Sequence, residues 1–153
     1  MEANQSSKLI SEIIGMPLWE ISIGPSGINI HLGKQLESHF MKIPIMQGEI
    51  SLWCECNTRI YRDKVGGEII TDSLYPQDKN EEGLFRQYFE NKIVADAFIR
   101  EKDQSLHILV EPNIIFSAYP WTKESEKCWI IYDHRIKNPK GIMVYSDGIE
   151  VSE

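Results

Sequence analysis

The sequence predicts an α+β protein: two pseudo-repeated helix-plus-antiparallel-sheet units forming one domain over residues 1–153. Three observations lead there. Ile28–Ile60 aligns without a gap on Gln104–Ile136 at an offset of 76, matching His31/His107, Phe40/Phe116, Pro44/Pro120, Trp53/Trp129, Arg59/Arg135 and Ile60/Ile136. About two matches are expected by chance at ordinary composition. Each stretch also follows a short apolar helical stripe and a strand. Finally, the 153-residue length is nearly twice the offset, and half a chain of this size struggles to bury a core alone. The internal repeat is read as 6–71 and 78–147.

In the first unit, Ser6 or Ser7 caps a helix whose Leu9, Ile10, Ile13 and Ile14 share one face, and Gly15 with Pro17 ends it. Leu18–Ile23, the turn Gly24–Gly27 and Ile28–Leu32 read as a hairpin, with polar and apolar residues alternating on the return strand. Leu36–Ile45 and Ile50–Cys56 complete the unit, Pro44 being tolerable only at an edge. In the second, Asp78 or Asn80 is the cap, Glu81 and Glu82 favour the positive end of the helix dipole, and Leu84, Phe85, Tyr88 and Phe89 form the stripe. Ile93–Ile99, Leu106–Val110, Ile114–Trp121 and Cys128–Tyr132 are its strands. Beyond them, Glu68–Ile70 closes the first unit, and Ile142–Tyr145 turns through Ser146–Gly148 into Ile149–Val151. Thr71–Glu82 connects the halves.

A net charge of −7 disfavours nucleic acid as a direct partner, because phosphate binding needs clustered Lys and Arg. The same charge suits steering towards a basic protein. No apolar run is long enough for a membrane span, and no leader pattern opens the chain. The expectation is a cytoplasmic protein in which Cys54, Cys56 and Cys128 are buried, reduced thiols.

No catalytic, metal or cofactor site is expected. The histidines (His31, His39, His107, His134) fit no HExxH or finger spacing, and His31 and His107 read as solvent-facing strand residues. No serine lies in GxSxG, and the glycines form neither a phosphate loop nor a dinucleotide fingerprint. Trp53 and Trp129 read as equivalent core residues. The expected partner-binding residues are Asp72, Tyr75, Asp78, Glu81 and Glu82 of the acidic connection, with Trp121 after a proline, since aromatic anchors framed by acids suit a protein interface. An edge strand near Pro44 or Pro120 leaves a homodimer open.

The second half resembles immunity proteins of bacterial polymorphic and contact-dependent growth inhibition toxin systems. The resemblance lies in the stripe with Leu84 and Phe85, the strand Ile93–Ile99, the pair Leu106 and Ile108, and Glu126 shortly before Trp129. In the first half Ile30 and Leu32 replace that pair, and Glu49 stands before Trp53. It implies a non-enzymatic protein that neutralises the C-terminal domain of a cognate secreted toxin, often a basic nuclease, by tight binding. It implies no shared binding residue. The alternative is a small α+β ligand-binding or regulatory domain with a pocket between the repeats, and a third reading is an enzyme whose residues meet from remote parts of the chain.

Overall fold

A computed structural model describes residues 2–151 except 26, 41, 63–66, 76, 101, 111–112, 120–126, 137–140 and 146–147, with side chains outside 2–6, 38–40, 127–128 and 141–151. The elements are α1 (Glu2–Glu12), β1 (Pro17–Gly24), β2 (Gly27–Phe40), β3 (Ile43–Cys54), β4 (Asn57–Arg62), β5 (Glu68–Ser73), a 3₁₀ turn (Lys79–Glu81) and α2 (Glu82–Phe89). Then follow β6 (Lys92–Arg100), β7 (Ser105–Val110), β8 (Ile114–Tyr119), β9 (Lys127–Asp133), β10 (Gly141–Tyr145) and β11 (Gly148–Val151). These eleven strands form one antiparallel sheet in the order β11-β10-β9-β3-β2-β1-β6-β7-β8-β4-β5.

That order corrects the expected fold class. The chain is mostly one sheet with two short helices, not two helix-plus-sheet units. Each half contributes a meander, β1–β3 or β6–β8, and the meanders join at the centre through Pro17↔Ile93 and Leu18↔Lys92. Each meander is then extended by strands of the other half: β9 pairs with β3, and β4 with β8. The helices cross over as well, α1 contacting β6 and α2 contacting β1. Part of the apolar area that stabilises each half is therefore supplied by the other.

The ungapped alignment fails for a measurable reason. His31 lies opposite Ser51, 20 residues on, whereas His107 lies opposite Ser117, 10 residues on. The β2–β3 hairpin has a longer distal arm, its turn falling near Lys42 where Leu36–Ile45 reads as one strand. Phe40 and Phe116 therefore have no common place. Trp53 and Trp129 sit on neighbouring strands, and on opposite faces: Trp129 is wholly buried, whereas Trp53 is half-buried. Pro44 is tolerated because, among the described residues, β9 pairs only with Ile50–Cys54 and no strand pairs with the distal arm's outer side.

Alternation sorts each strand into two faces. Leu18, Ile21, Ile28, Ile30, Leu32, Ile50, Leu52, Ile60, Leu106, Ile108, Phe116, Trp129 and Ile131 form one core with Ile10 of α1, Ile13 just after it, and Phe85 and Phe89 of α2. Phe85 and Phe89 each meet Phe116 edge-on, with centroids 6.2 and 5.8 Å apart. Burying such a side chain contributes roughly 1.5–3 kcal/mol. α1 begins at Glu2, ahead of the expected Ser6 or Ser7, and Ile14 falls outside it, 43% exposed. Among the described residues, no helix is long and apolar enough to cross a membrane.

Candidate functional site

The opposite face of the sheet carries the chemistry-bearing side chains. Between Leu32 and Gln35 the β2–β3 ladder shifts register. Gly33 there has φ +84, and a side chain on Gly48 would start 2.5 Å from the Leu32 carbonyl oxygen. Both positions need glycine. The distal arm brings Ile45, Met46 and Gln47 to the rim of an open concavity of about 390 Å³. Its other residues are Asn29, His31, Ser51, Trp53, Tyr132 and His134, so strands of both halves build it. A bulge between Leu18 and Glu20 turns Trp19 and Glu20 towards this face, Glu20 directly opposite His31.

His31 is 8% exposed and stacks on Trp19, centroids 5.1 Å apart. Its Nδ1 accepts the Gly48 N–H at 3.2 Å, so the neutral ring carries its proton on Nε2. His31 Nε2 lies 3.2 Å from Asn29 Nδ2 and 3.9 Å from the Glu20 carboxylate. Ser51 Oγ bonds instead to His134 Nε2 at 2.7 Å, and the His134 ring stacks on Tyr132. Burial pushes both imidazoles below the usual histidine range; for His134 the nearby His31 adds to this and Asp133 opposes it. Arg135 binds Asp133 with two nitrogens and holds its carboxyl below the usual range.

A second histidine cluster lies under the other half of the sheet. Ser105 Oγ donates to Asp103 Oδ1 at 2.6 Å, and so accepts from His107 Nε2–H at 2.7 Å. His107 Nδ1 then accepts the Ser117 hydroxyl at 2.6 Å. A serine, a histidine and a carboxylate, with one hydroxyl interposed, use the groups of a nucleophilic triad. Ser117 is fully buried, however, and Phe98 stacks over His107 at 4.9 Å while Tyr119 closes its edge at 6.1 Å. A sealed hydroxyl reaches no substrate, so this relay ties β7 to β8 and to the turn before it. His31 and His107 are thus buried and bonded, correcting their reading as solvent-facing.

The expected partner residues are largely occupied by local structure. Asp78 and Glu81 form a reciprocal capping box ahead of α2. Glu82 accepts the Ile23 N–H and the Lys79 ammonium, each at 2.7 Å, and the Lys79 bond leads in lowering its pKa. Asp72 pairs with Arg59 and, with Tyr119 and Leu74, lines a smaller open concavity. Tyr75 is half-buried, its N–H bonded to Asn57 Oδ1 at 2.9 Å. Trp121 lies outside the described residues. The residues gathered at the larger concavity instead include Ser51, Trp53, Tyr132 and His134. A signal for them existed: polar and aromatic residues alternate with Ile and Leu at Asn29, His31, Ser51 and Trp53 on strands with one buried face.

Cys54 is a buried free thiol whose pKa is pushed up to about 12 by burial. Cys56 is disulfide-bonded, which corrects the expectation of reduced thiols throughout. Among the described residues, no three His, Cys, Asp or Glu side chains converge as a metal site. Compared with protein-family models, curated proteins and solved structures, the chain matches none. The resemblance to immunity proteins therefore rests on its residues alone.

Proposed function

We propose that this chain is a non-enzymatic immunity protein that neutralises the C-terminal domain of a cognate secreted toxin, nucleolytic by resemblance and basic by charge, by direct binding. The observation that supports it is the asymmetry of the sheet. Both helices pack on one face, while the other presents an open, aromatic-walled concavity whose histidines are already hydrogen-bonded. Aromatic anchors around satisfied polar groups are what a desolvated protein contact uses. The net charge of −7 favours a basic partner. The surface proposed differs from the acidic connection, whose carboxylates mostly serve as caps and ion pairs.

The reading puts the protein in the cytoplasm, where disulfides are rare. Alkylation trapping of Cys56 in cells tests that placement, a reduced thiol supporting it and a persistent disulfide opposing it. The functional test has two steps: the adjoining gene must encode a secreted protein with a C-terminal toxin module, and co-expression with that module should restore growth; the absence of such a gene, or unabated killing, rejects the proposal. A second reading has one observation in its favour. The concavity's volume lies within the range of small-molecule sites, and both halves line it. Its openness suits a protruding side chain better than an enclosed ligand.

A further inference from the structure

We propose that the concavity beside His31 receives an arginine side chain of the partner. This rests on the protein-binding reading and gives its chemistry. Trp53 and Tyr132 supply aromatic faces, and Met46 a polarisable apolar wall. Glu20, opposite His31, supplies a carboxylate that is 39% exposed at the side chain. The other acids nearby are engaged: Asp133 holds Arg135, Glu49 accepts the Lys34 N–H, and Glu55 accepts the Trp53 indole N–H. Glu20 has only His31 as an ion-pair neighbour among the described residues, and burial disfavours the charged form of that imidazole. The concavity therefore presents π faces, and the Glu20 carboxylate stands beside its lining, 3.9 Å from His31 Nε2, on a protein of net charge −7.

A guanidinium answers both features. It stacks flat on an aromatic ring and bonds a carboxylate with two N–H groups, whereas an ammonium does neither in the same geometry. A leucine or methionine anchor would fill the apolar part and leave the Glu20 carboxylate partly desolvated and unpaired, which opposes binding.

The test titrates the full chain with N-acetyl-arginine amide, and in parallel with N-acetyl-lysine amide and N-acetyl-leucine amide. Indole N–H resonances are followed by ¹⁵N NMR and assigned with Trp53→Phe. The arginine compound should shift the Trp53 signal saturably, and Glu20→Gln should weaken it about fivefold or more, for a charge-assisted pair of roughly 1 kcal/mol. Glu20 is surface-accessible, so an unchanged melting temperature should show that the variant folds. A leucine response equal to the arginine response, no response at all, or full affinity in Glu20→Gln overturns the proposal. The two proposals fail separately. Loss of toxin protection with arginine binding intact removes only the toxin reading. Undiminished protection by Glu20→Gln removes only the arginine site.

Discussion

His31 and His107 make an instructive pair. Each lies opposite a serine on the next strand and stacks on an aromatic from the strand on its other side, Trp19 for His31 and Phe98 for His107. They part at the serine. Ser117 bonds to His107, which continues through Ser105 to Asp103 and closes the cluster. Ser51 bonds to His134, because β9 crosses in beside β3, and the long β2–β3 arm leaves a concavity between them. The same residue types on the same kind of strand thus make a sealed fastener in one place and an accessible surface in the other. What differs is the neighbouring strand and the length of one hairpin.

The largest expected effect lies in the sealed cluster. His107→Ala removes both imidazole bonds and leaves the buried Ser105 and Ser117 hydroxyls short of a partner, at a cost of about 3–5 kcal/mol. His134→Ala, on the accessible side, should cost about 1–2 kcal/mol, because Ser51 can turn to solvent in the open concavity. Urea denaturation of both variants checks the contrast, and equal losses would break it.

Next in size is Asp103→Ala, expected to cost about 1–2 kcal/mol through the lost Ser105 bonds and the exposed Arg100 pair. Raising salt should narrow that difference only slightly if the Ser105 bonds dominate, which repeated denaturation at two ionic strengths would show.

Acid should act in two stages. The folded-state pKa values of His31, His107 and His134 are depressed, chiefly by burial, so the unfolded chain binds protons first. Their contribution is present above the unfolded value of about 6.5 and is lost as pH falls through the lower folded values. Glu82, Asp103 and Asp133 are depressed by their Lys and Arg partners, so their contribution persists until pH falls below about 4. Melting temperature against pH should decline gently below 6.5 and again below 4; a rise between pH 7 and 5 would contradict the buried-histidine account. The smallest effect is chemical: Cys54 should stay unlabelled by iodoacetamide in the native protein at pH 8 and react after denaturation, as mapped by mass spectrometry.

Much of the strand content was legible in the sequence. The Leu18–Ile23 and Ile28–Leu32 hairpin, the stripe of α2 and the cap at Asp78 can be read from local alternation and spacing. Strand exchange could not be read this way, because β9 beside β3 and β4 beside β8 are long-range pairings that leave no local pattern. The matched Trp53 and Trp129 misled because a repeat alignment cannot register ten extra residues in one hairpin arm. Asp78, Glu81 and Glu82 looked like partner-facing acids because a helix cap and an interface rim use the same residues; only the bonds to the Asp78 N–H, the Ile23 N–H and Lys79 distinguish them. The concavity was half visible, in Asn29, His31, Ser51 and Trp53, and lacked the Tyr132 and His134 that β9 brings.

The central claim is that the face away from the helices is the binding face. Hydrogen exchange with and without the co-expressed toxin module tests it most directly. Protection of Asn29–Leu32, Pro44–Trp53 and Ile130–His134, with α1 and α2 unchanged, is the predicted result. Protection confined to α1, α2 or the Lys79–Glu82 connection, with those strands exchanging as in the free protein, would contradict it.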